Sequence, residues 1–254
     1  MRLEEISWKQ AERYFERKDI AVIPVGSIEN HGSQLALGTD YLIPKKLTEW
    51  VERELDVLIL PGVPYGVANH HQGFPGTISL GEEGLYLVMS KIVWALYEYG
   101  IRKFVFLNGH GGNDVVLNKL GLEIEDNGGI SALFNWWQIA GELNPAWKGG
   151  HGGGEETAAM LAIDEKYVHM EDYMPLVPND LSENLPVSSV KTVRFKGVDV
   201  IIPRHFQSVT ESGWYGPDDP RDATAAWGNE MLDATGKYLC EFIAEFEKVE
   251  LPKL

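Results

Sequence analysis

The sequence predicts an α/β protein, a mostly parallel sheet flanked by helices on both faces. Three observations predict it. Short apolar runs closed by glycine or proline recur along the chain, each followed by a segment of helical period. The runs are apolar at successive positions rather than alternate ones, as in strands covered on both sides. The 254 residues show no internal repeat, low-complexity tract or linker, so residues 1–254 read as a single domain built on one sizeable core.

The elements follow in order. From Ser7 to Glu16, apolar Trp8, Ala11, Tyr14 and Phe15 recur at helical spacing behind a serine suited to capping. Ile20-Ala21-Val22-Ile23-Pro24-Val25 is a buried strand ending at Gly26. Ile43 to Glu54 is helical, and Val57 to Leu60 is a second strand closed by Pro61-Gly62. Glu83 to Tyr99 is a long amphipathic helix stopped by Gly100, and Lys103 to Leu107 is the third strand. Asp114 to Asp126 is helical, Ile130 to Trp136 is the fourth strand, and a further helix starts at Glu155. Met170 to Pro186 is polar and proline-bearing, a surface excursion. Arg194 to Ile202 is a strand, or a hairpin turning at Lys196-Gly197, and Ala223 to Lys248 is the terminal helix.

Composition removes several functions. A net charge of −16 repels nucleic acid and anionic membrane and is compatible with cation binding. Cys240 is the only cysteine, lies in an apolar helical pattern and permits no intrachain disulfide. The first residues carry no signal-peptide pattern, and no run reaches membrane-spanning length. The expectation is a soluble cytoplasmic protein with a small-molecule partner.

Three distant segments carry potential metal ligands beside glycines: Gly26-Ser27-Ile28-Glu29-Asn30-His31-Gly32 with Gly38-Thr39-Asp40, then Asn108-Gly109-His110-Gly111-Gly112-Asn113, then His151-Gly152-Gly153-Gly154-Glu155-Glu156-Thr157. Each follows a strand, and ligands of open α/β sheets bind beyond the carboxyl ends of the strands, so the three should meet at one edge. Glu29 and His31, two apart, share a side of an extended segment. Asp40, with two oxygens, suits a bridge between ions. Asn113 or Asp114 is placed to cap the helix behind His110. Adjacent Glu155 and Glu156 point in different directions, so one of them is expected to ligate. Histidine with carboxylate suits Zn²⁺, Mn²⁺ or Fe²⁺ better than Ca²⁺ or Mg²⁺. Two such ions would sharpen a shared water into a hydroxide able to attack a carbonyl. His151 is the candidate to protonate the leaving nitrogen. Two other patterns lead nowhere: His151-Gly152-Gly153-Gly154 resembles a lipase oxyanion loop but has no nucleophile elbow with it, and the glycine-rich stretches match neither a phosphate-binding loop nor a dinucleotide fingerprint.

Taken together, Pro24-Val25-Gly26-Ser27-x-Glu29-x-His31-Gly32, Leu37-Gly38-Thr39-Asp40, Phe74-Pro75-Gly76-Thr77-Ile78-Ser79, Asn108 to Asn113, His151 to Thr157, Ser212-Gly213-x-x-Gly216 and Pro220-x-x-Ala223-Thr224 resemble the creatininase (creatinine amidohydrolase) family. The resemblance runs from about Ile20 to Gly228. It implies a creatininase-like three-layer sandwich, usually hexameric, that holds two divalent ions per subunit, Zn and/or Mn with Fe possible, and hydrolyses a non-peptide C–N bond, cyclic amide or formamide. Carried over by position, Glu29, His31, Asp40 and His110 are metal ligands with Asp40 bridging, and Glu156 supplies a further ligand and catalytic carboxylate. His151 matches the catalytic histidine, and Trp147 a tryptophan over the substrate. His71 fits the spacing of a pocket residue. Gly111 and Gly112 stand where creatinine-opening members carry tyrosine and a ligating glutamate, and Lys148 where they carry an acid; the glycine version is shared with formamidopyrimidine-type deformylases and a modified-peptide peptidase. The competing expectation from another class is a non-catalytic metal-binding protein.

Overall fold

The computed structural model describes residues 1–252. Its centre is a four-stranded parallel sheet of β1 (Ile20–Val25), β2 (Leu58–Ile59), β3 (Lys103–Asn108) and β4 (Ile130–Asn135), in the order β2-β1-β3-β4. Successive side chains of a strand point to opposite faces, and both faces are apolar here. Ile20, Val22, Val105 and Leu107 enter one core with Ile43, Leu47, Trp136, Met160, Leu239 and Ile243. Ala21, Ile23, Val25, Phe104 and Phe106 enter the other with Tyr14, Leu85, Met89, Val93, Leu117 and Leu120. Helices α2 (Thr39–Glu54), α5 (Trp136–Leu143), α6 (Gly154–Ile163) and α7 (Ala225–Phe246) therefore cover the first face; α1 (Trp8–Phe15), α3 (Gly81–Glu98) and α4 (Asp114–Asp126) cover the second. Among the described residues no helix is long and apolar enough to cross a membrane.

Register carries this architecture to the site. Val25 pairs with Asn108, and Asn108 with Asn135, so the carboxyl ends of three strands lie level and release their loops side by side. Helix α2 begins at Thr39, four residues before the expected start at Ile43, because Pro44 is tolerated inside it. Pro44 has no N–H to give the Asp40 carbonyl. That carbonyl faces Gly109, where a Cβ would stand 1.8 Å from it, so only glycine lets β3's exit loop pass this turn. Strand β4 ends at Asn135 rather than Trp136, and Trp136 instead opens α5, a helix the sequence reading left unassigned. The excursion before residue 192 leads to an antiparallel hairpin of β5 (Thr192–Phe195) and β6 (Val198–Ile201). Its two turn residues, Lys196 and Gly197, both have positive φ, 49° and 83°, as a two-residue turn between twisted strands requires. Thr224 caps α7 by accepting from the Trp227 N–H at 3.1 Å.

Candidate metal centre

The loop after β1 is tied at both ends. Ser27 Oγ donates to Glu29 Oε2 at 2.7 Å, and the Glu29 N–H donates to the Leu37 carbonyl at 3.0 Å. Asn30 Nδ2 donates to the Gly213 carbonyl at 2.6 Å, and Gln34 Nε2 to the Gly152 carbonyl at 2.8 Å, so the Ser212–Gly216 segment and the His151 loop brace it. Asp40 reaches the same place from the first turn of α2. The β3 exit is held by Asn108, whose amide bonds both the His110 backbone and Asn135. Asn113 does not cap α4 as expected. Its side chain accepts from the Val67 N–H at 3.0 Å and donates to the Gly26 carbonyl at 3.1 Å, stitching the β1 and β3 loops together.

These ties gather Glu29, His31, Asp40, His110 and Glu156 in the interior, each 9% exposed or less. Two overlapping sets of donor atoms result, each within 4.8 Å: Glu29, Asp40 and His110, and His31, Asp40 and Glu156. Asp40 belongs to both. Its Oδ1 is 2.9 Å from His31 Nε2 and its Oδ2 is 3.0 Å from His110 Nδ1. His151 joins a third set with Glu29 and His31, its Nδ1 4.0 Å from Glu29 Oε1. Glu156 rather than Glu155 faces the cluster, because neighbours on a helix diverge by about 100°. Glu156 Oε2 accepts from the Gly152 N–H at 2.6 Å and stands 3.7 Å from His31 Nε2. Glu155 is buried as well, and its N–H donates to Asp218 at the start of α6.

Outer partners set the imidazoles. His110 Nε2 lies 2.9 Å from the Val67 carbonyl and His31 Nδ1 3.1 Å from the Glu29 carbonyl. A carbonyl only accepts, so these nitrogens carry the hydrogens and His110 Nδ1 and His31 Nε2 are left facing the carboxylates. Glu29 Oε1 and Asp40 Oδ2 are buried without a hydrogen-bond partner, a costly state unless a cation completes it. The electrostatics agree. Burial pulls His31 down, but Asp40, Glu156 and Glu29 overcome it and raise it to about 10. Burial likewise opposes and the carboxylates, Glu29 first, raise His110. Burial works to raise Asp40, and His31 and His110 overcome it and lower it. Burial lifts Glu156 to about 7. A pocket that draws protons onto its histidines this strongly is built to hold positive charge, and protons and metal ions compete for the same atoms.

The cluster opens into a cavity of about 270 Å³ lined also by His71, Gly111, Gly112, Trp137, Gly149, Gly150, Val190 and Lys191. His71 sits as expected on its wall, its Nδ1 3.0 Å from Asn30 Oδ1; burial lowers it to about 4 and keeps it neutral. Gly111 presents open space, with only Trp137 Cζ2 at 3.7 Å from where a Cβ would stand. His151 lines the cavity too; its Nε2 is buried and unpartnered, and burial followed by His31 and His71 holds it neutral. Trp147 departs from expectation. The Pro145–Trp147 turn folds its ring into the core, 8% exposed, and it does not line the cavity. Trp137 holds the wall instead: Trp136 and Trp137 divide between core and cavity through the helical offset of α5. Val190 and Lys191, brought in by the hairpin, carried no local signal in the sequence.

Comparison with known proteins agrees with this geometry. The family model for creatininase, described as creatinine amidohydrolase, matches residues 4–243. A mycofactocin precursor peptide peptidase of Mycobacterium tuberculosis (strain CDC 1551 / Oshkosh) is 31% identical over 230 residues, covering 84% of this chain and 80% of that one. Creatinine amidohydrolase of Pseudomonas putida is 25% identical over 244 residues, covering 82% and 94%. A creatinine amidohydrolase crystal structure superposes with a TM-score of 0.75 over 98% of both chains at 23% identity, a likeness of fold; other creatininases of this fold include a Zn–Zn type and a Mn form. With its three-layer α/β architecture and its histidine–carboxylate cluster at the strand ends, this chain belongs to the creatininase family.

Proposed function

We propose that the protein is a metal-dependent amidohydrolase that hydrolyses a non-peptide C–N bond, a cyclic amide or formamide, in a small molecule. The observation that carries this reading is Asp40, buried between two histidines with one oxygen toward each, inside two donor sets that share it. Glu29, Asp40 and His110 would hold one divalent ion, and His31, Asp40 and Glu156 the other. Zn²⁺ or Mn²⁺ suits the donor set, as in the family's Zn–Zn and Mn forms. When bound, such ions polarise a carbonyl and ready water for attack. The chain supplies the remainder. Glu29 and Asp40 hold negative charge at fixed atoms. His151, neutral and unpartnered at Nε2, takes up the proton released by the attacking water and hands it to the leaving nitrogen. Glu156, held by Gly152, orients the second donor set. Trp137, His71 and the open face at Gly111 shape the substrate space. The reading extends to a cytoplasmic hexamer, to be checked by light scattering and cell fractionation.

Purified protein should contain close to two equivalents of Zn or Mn by elemental analysis and hydrolyse at least one member of a panel of creatinine, formamidopyrimidines, small lactams and modified peptides. Protein with no metal affinity and no turnover across that panel would sink the proposal; metal bound with no turnover would favour a non-catalytic metal protein. A second reading within the family, a deformylase or modified-peptide peptidase, draws on a specific observation. At Gly112 a Cβ would meet the Val67 carbonyl at 2.2 Å and His110 Nε2 at 2.4 Å. The glutamate that the resemblance places there in creatinine-opening members has no room in this chain, so its pocket is organised for another substrate.

A further inference from the structure

Helix α6 is entered through Gly152, Gly153 and Gly154, so its N-cap, Gly153, has no side chain to accept from the first N–H groups of the helix. Those groups lack partners inside a helix, and Ser, Thr, Asp or Asn at the cap ordinarily takes one of them. Here the acceptor comes from a segment distant in the chain. Asp218 Oδ2 accepts from the Glu155 N–H at 2.6 Å, and the Asp218 carbonyl from the Gly154 N–H at 3.2 Å. A Cβ at Gly153 would stand 2.6 Å from Asp218 Oδ1, so the carboxylate occupies the place that a local capping side chain would need. Cβ atoms at Gly149 and Gly216 would stand 2.5 and 2.6 Å from its oxygens. Three glycines therefore make room for this one carboxylate.

Residues of the candidate site lie on both sides of this tie. Before the glycines, the His151 carbonyl accepts from the Tyr215 N–H at 2.8 Å. After them comes Glu156, whose N-terminal neighbour is the residue that Asp218 holds. The bond from the Gly152 N–H to Glu156 Oε2 lies within the segment, so it fixes the segment's shape and not its place. Its place against the β1 loop, where His31 Nε2 stands 3.7 Å from Glu156 Oε2, depends on ties to other parts of the chain. We propose that Asp218 is a positioning residue for Glu156: by anchoring the first turn of α6 it brings the Glu156 carboxylate to His31 and Asp40. That this donor set holds an ion rests on the amidohydrolase reading; the tie itself does not.

The test titrates Zn²⁺ and Mn²⁺ by calorimetry into metal-free wild type, Asp218→Ala, Asp218→Ser, Asp218→Asn and Glu156→Gln, the last marking which of the two equivalents Glu156 holds. Asp218→Ala should weaken that ion about 10- to 100-fold, the usual effect of losing a ligand's outer partner, and leave the other within about 3-fold. Asp218→Ser draws the acceptor back without emptying the site; it should weaken the same ion several-fold and carries the test if the alanine protein does not fold. Asp218→Asn can set its amide oxygen at Oδ2 and its amide nitrogen at the unpartnered Oδ1, so it should keep both affinities within about 3-fold. Hydrogen exchange over residues 149–156 of the metal-free protein should quicken in Asp218→Ala and stay as in wild type in Asp218→Asn. Equal losses at both ions mean a purely structural role and overturn the proposal, as does no loss at either. A loss in Asp218→Asn as large as in alanine also overturns it, since the charge and not the placed acceptor would then matter. If wild type binds no metal while exchange responds as stated, the amidohydrolase reading fails and the tie stands; unchanged exchange in Asp218→Ala removes the tie whatever the metals do.

Discussion

Gly112→Ala tests how the imidazole of His110 is aimed. The added Cβ would stand 2.2 Å from the Val67 carbonyl and 2.4 Å from His110 Nε2. Carbon and carbonyl oxygen approach to about 3.3–3.6 Å even in close backbone contacts, so the shortfall is about 1 Å. Both offended atoms belong to the 2.9 Å bond that holds His110, and one is main chain. Overpacking costs about 1–3 kcal/mol, and a buried carbonyl stripped of its donor about 1–3 kcal/mol more. A loss of roughly 2–6 kcal/mol lowers the melting temperature by roughly 4–24 °C at this chain length. Because the ring is released, metal affinity should fall about 10- to 100-fold, the usual effect of removing a ligand's outer partner. Thermal denaturation of the metal-free protein and competitive metal titration measure the two effects. Gly111→Ala is the control: its Cβ meets only Trp137 at 3.7 Å, so stability should stay within about 0.5 kcal/mol. A Gly112→Ala protein as stable as wild type, with unchanged metal affinity, would refute the account of how His110 is oriented.

Other outcomes follow from particular groups. Stripping metal with a chelator should lower the melting temperature, by an amount that grows with the free ion concentration before stripping; binding at 100 times Kd contributes about 2.7 kcal/mol, and an unshifted melting curve would deny the buried carboxylates their counter-charge role. Burial pushes the Cys240 thiol from 9.0 up to about 11, so the folded chain keeps its proton where the unfolded chain has lost it. That contribution to stability is intact below pH 9 and is lost as pH rises toward 11; at pH 8 the native thiol should react with a disulfide reagent about 100-fold more slowly than in denaturant, and equal rates would contradict its burial. Thr224→Ala removes the acceptor for the Trp227 N–H and should cost about 1 kcal/mol by denaturant titration, whereas no loss would mean that α7 does not depend on its cap.

The strands were legible because each is an apolar run, and runs of that kind survive wherever both faces of a sheet are covered. That Glu29, His31 and His110 would meet was legible because each follows a strand end, and parallel topology sends those ends to one edge; Asp40 joins them from the first turn of α2. The boundary at α2 was missed because proline is a local warning against helix, while here α2 runs through Pro44 and gives up only the hydrogen bond to the Asp40 carbonyl. The place of Trp147 was missed for a related reason. An aromatic residue four positions before a histidine has no fixed direction, and the Pro145 turn swings Trp147 into the core, whereas the helical offset of α5 delivers Trp137 to the cavity.

The amino-acid sequence alone determined the layered architecture, the donor types and their placement at strand ends, since hydrophobic period and side-chain chemistry are local properties. Only the tertiary structure decided which carbonyl fixes each histidine, and that Trp137 rather than Trp147 lines the cavity. Those outcomes depend on the directions in which separate segments meet, and direction is set by packing between elements distant in the chain.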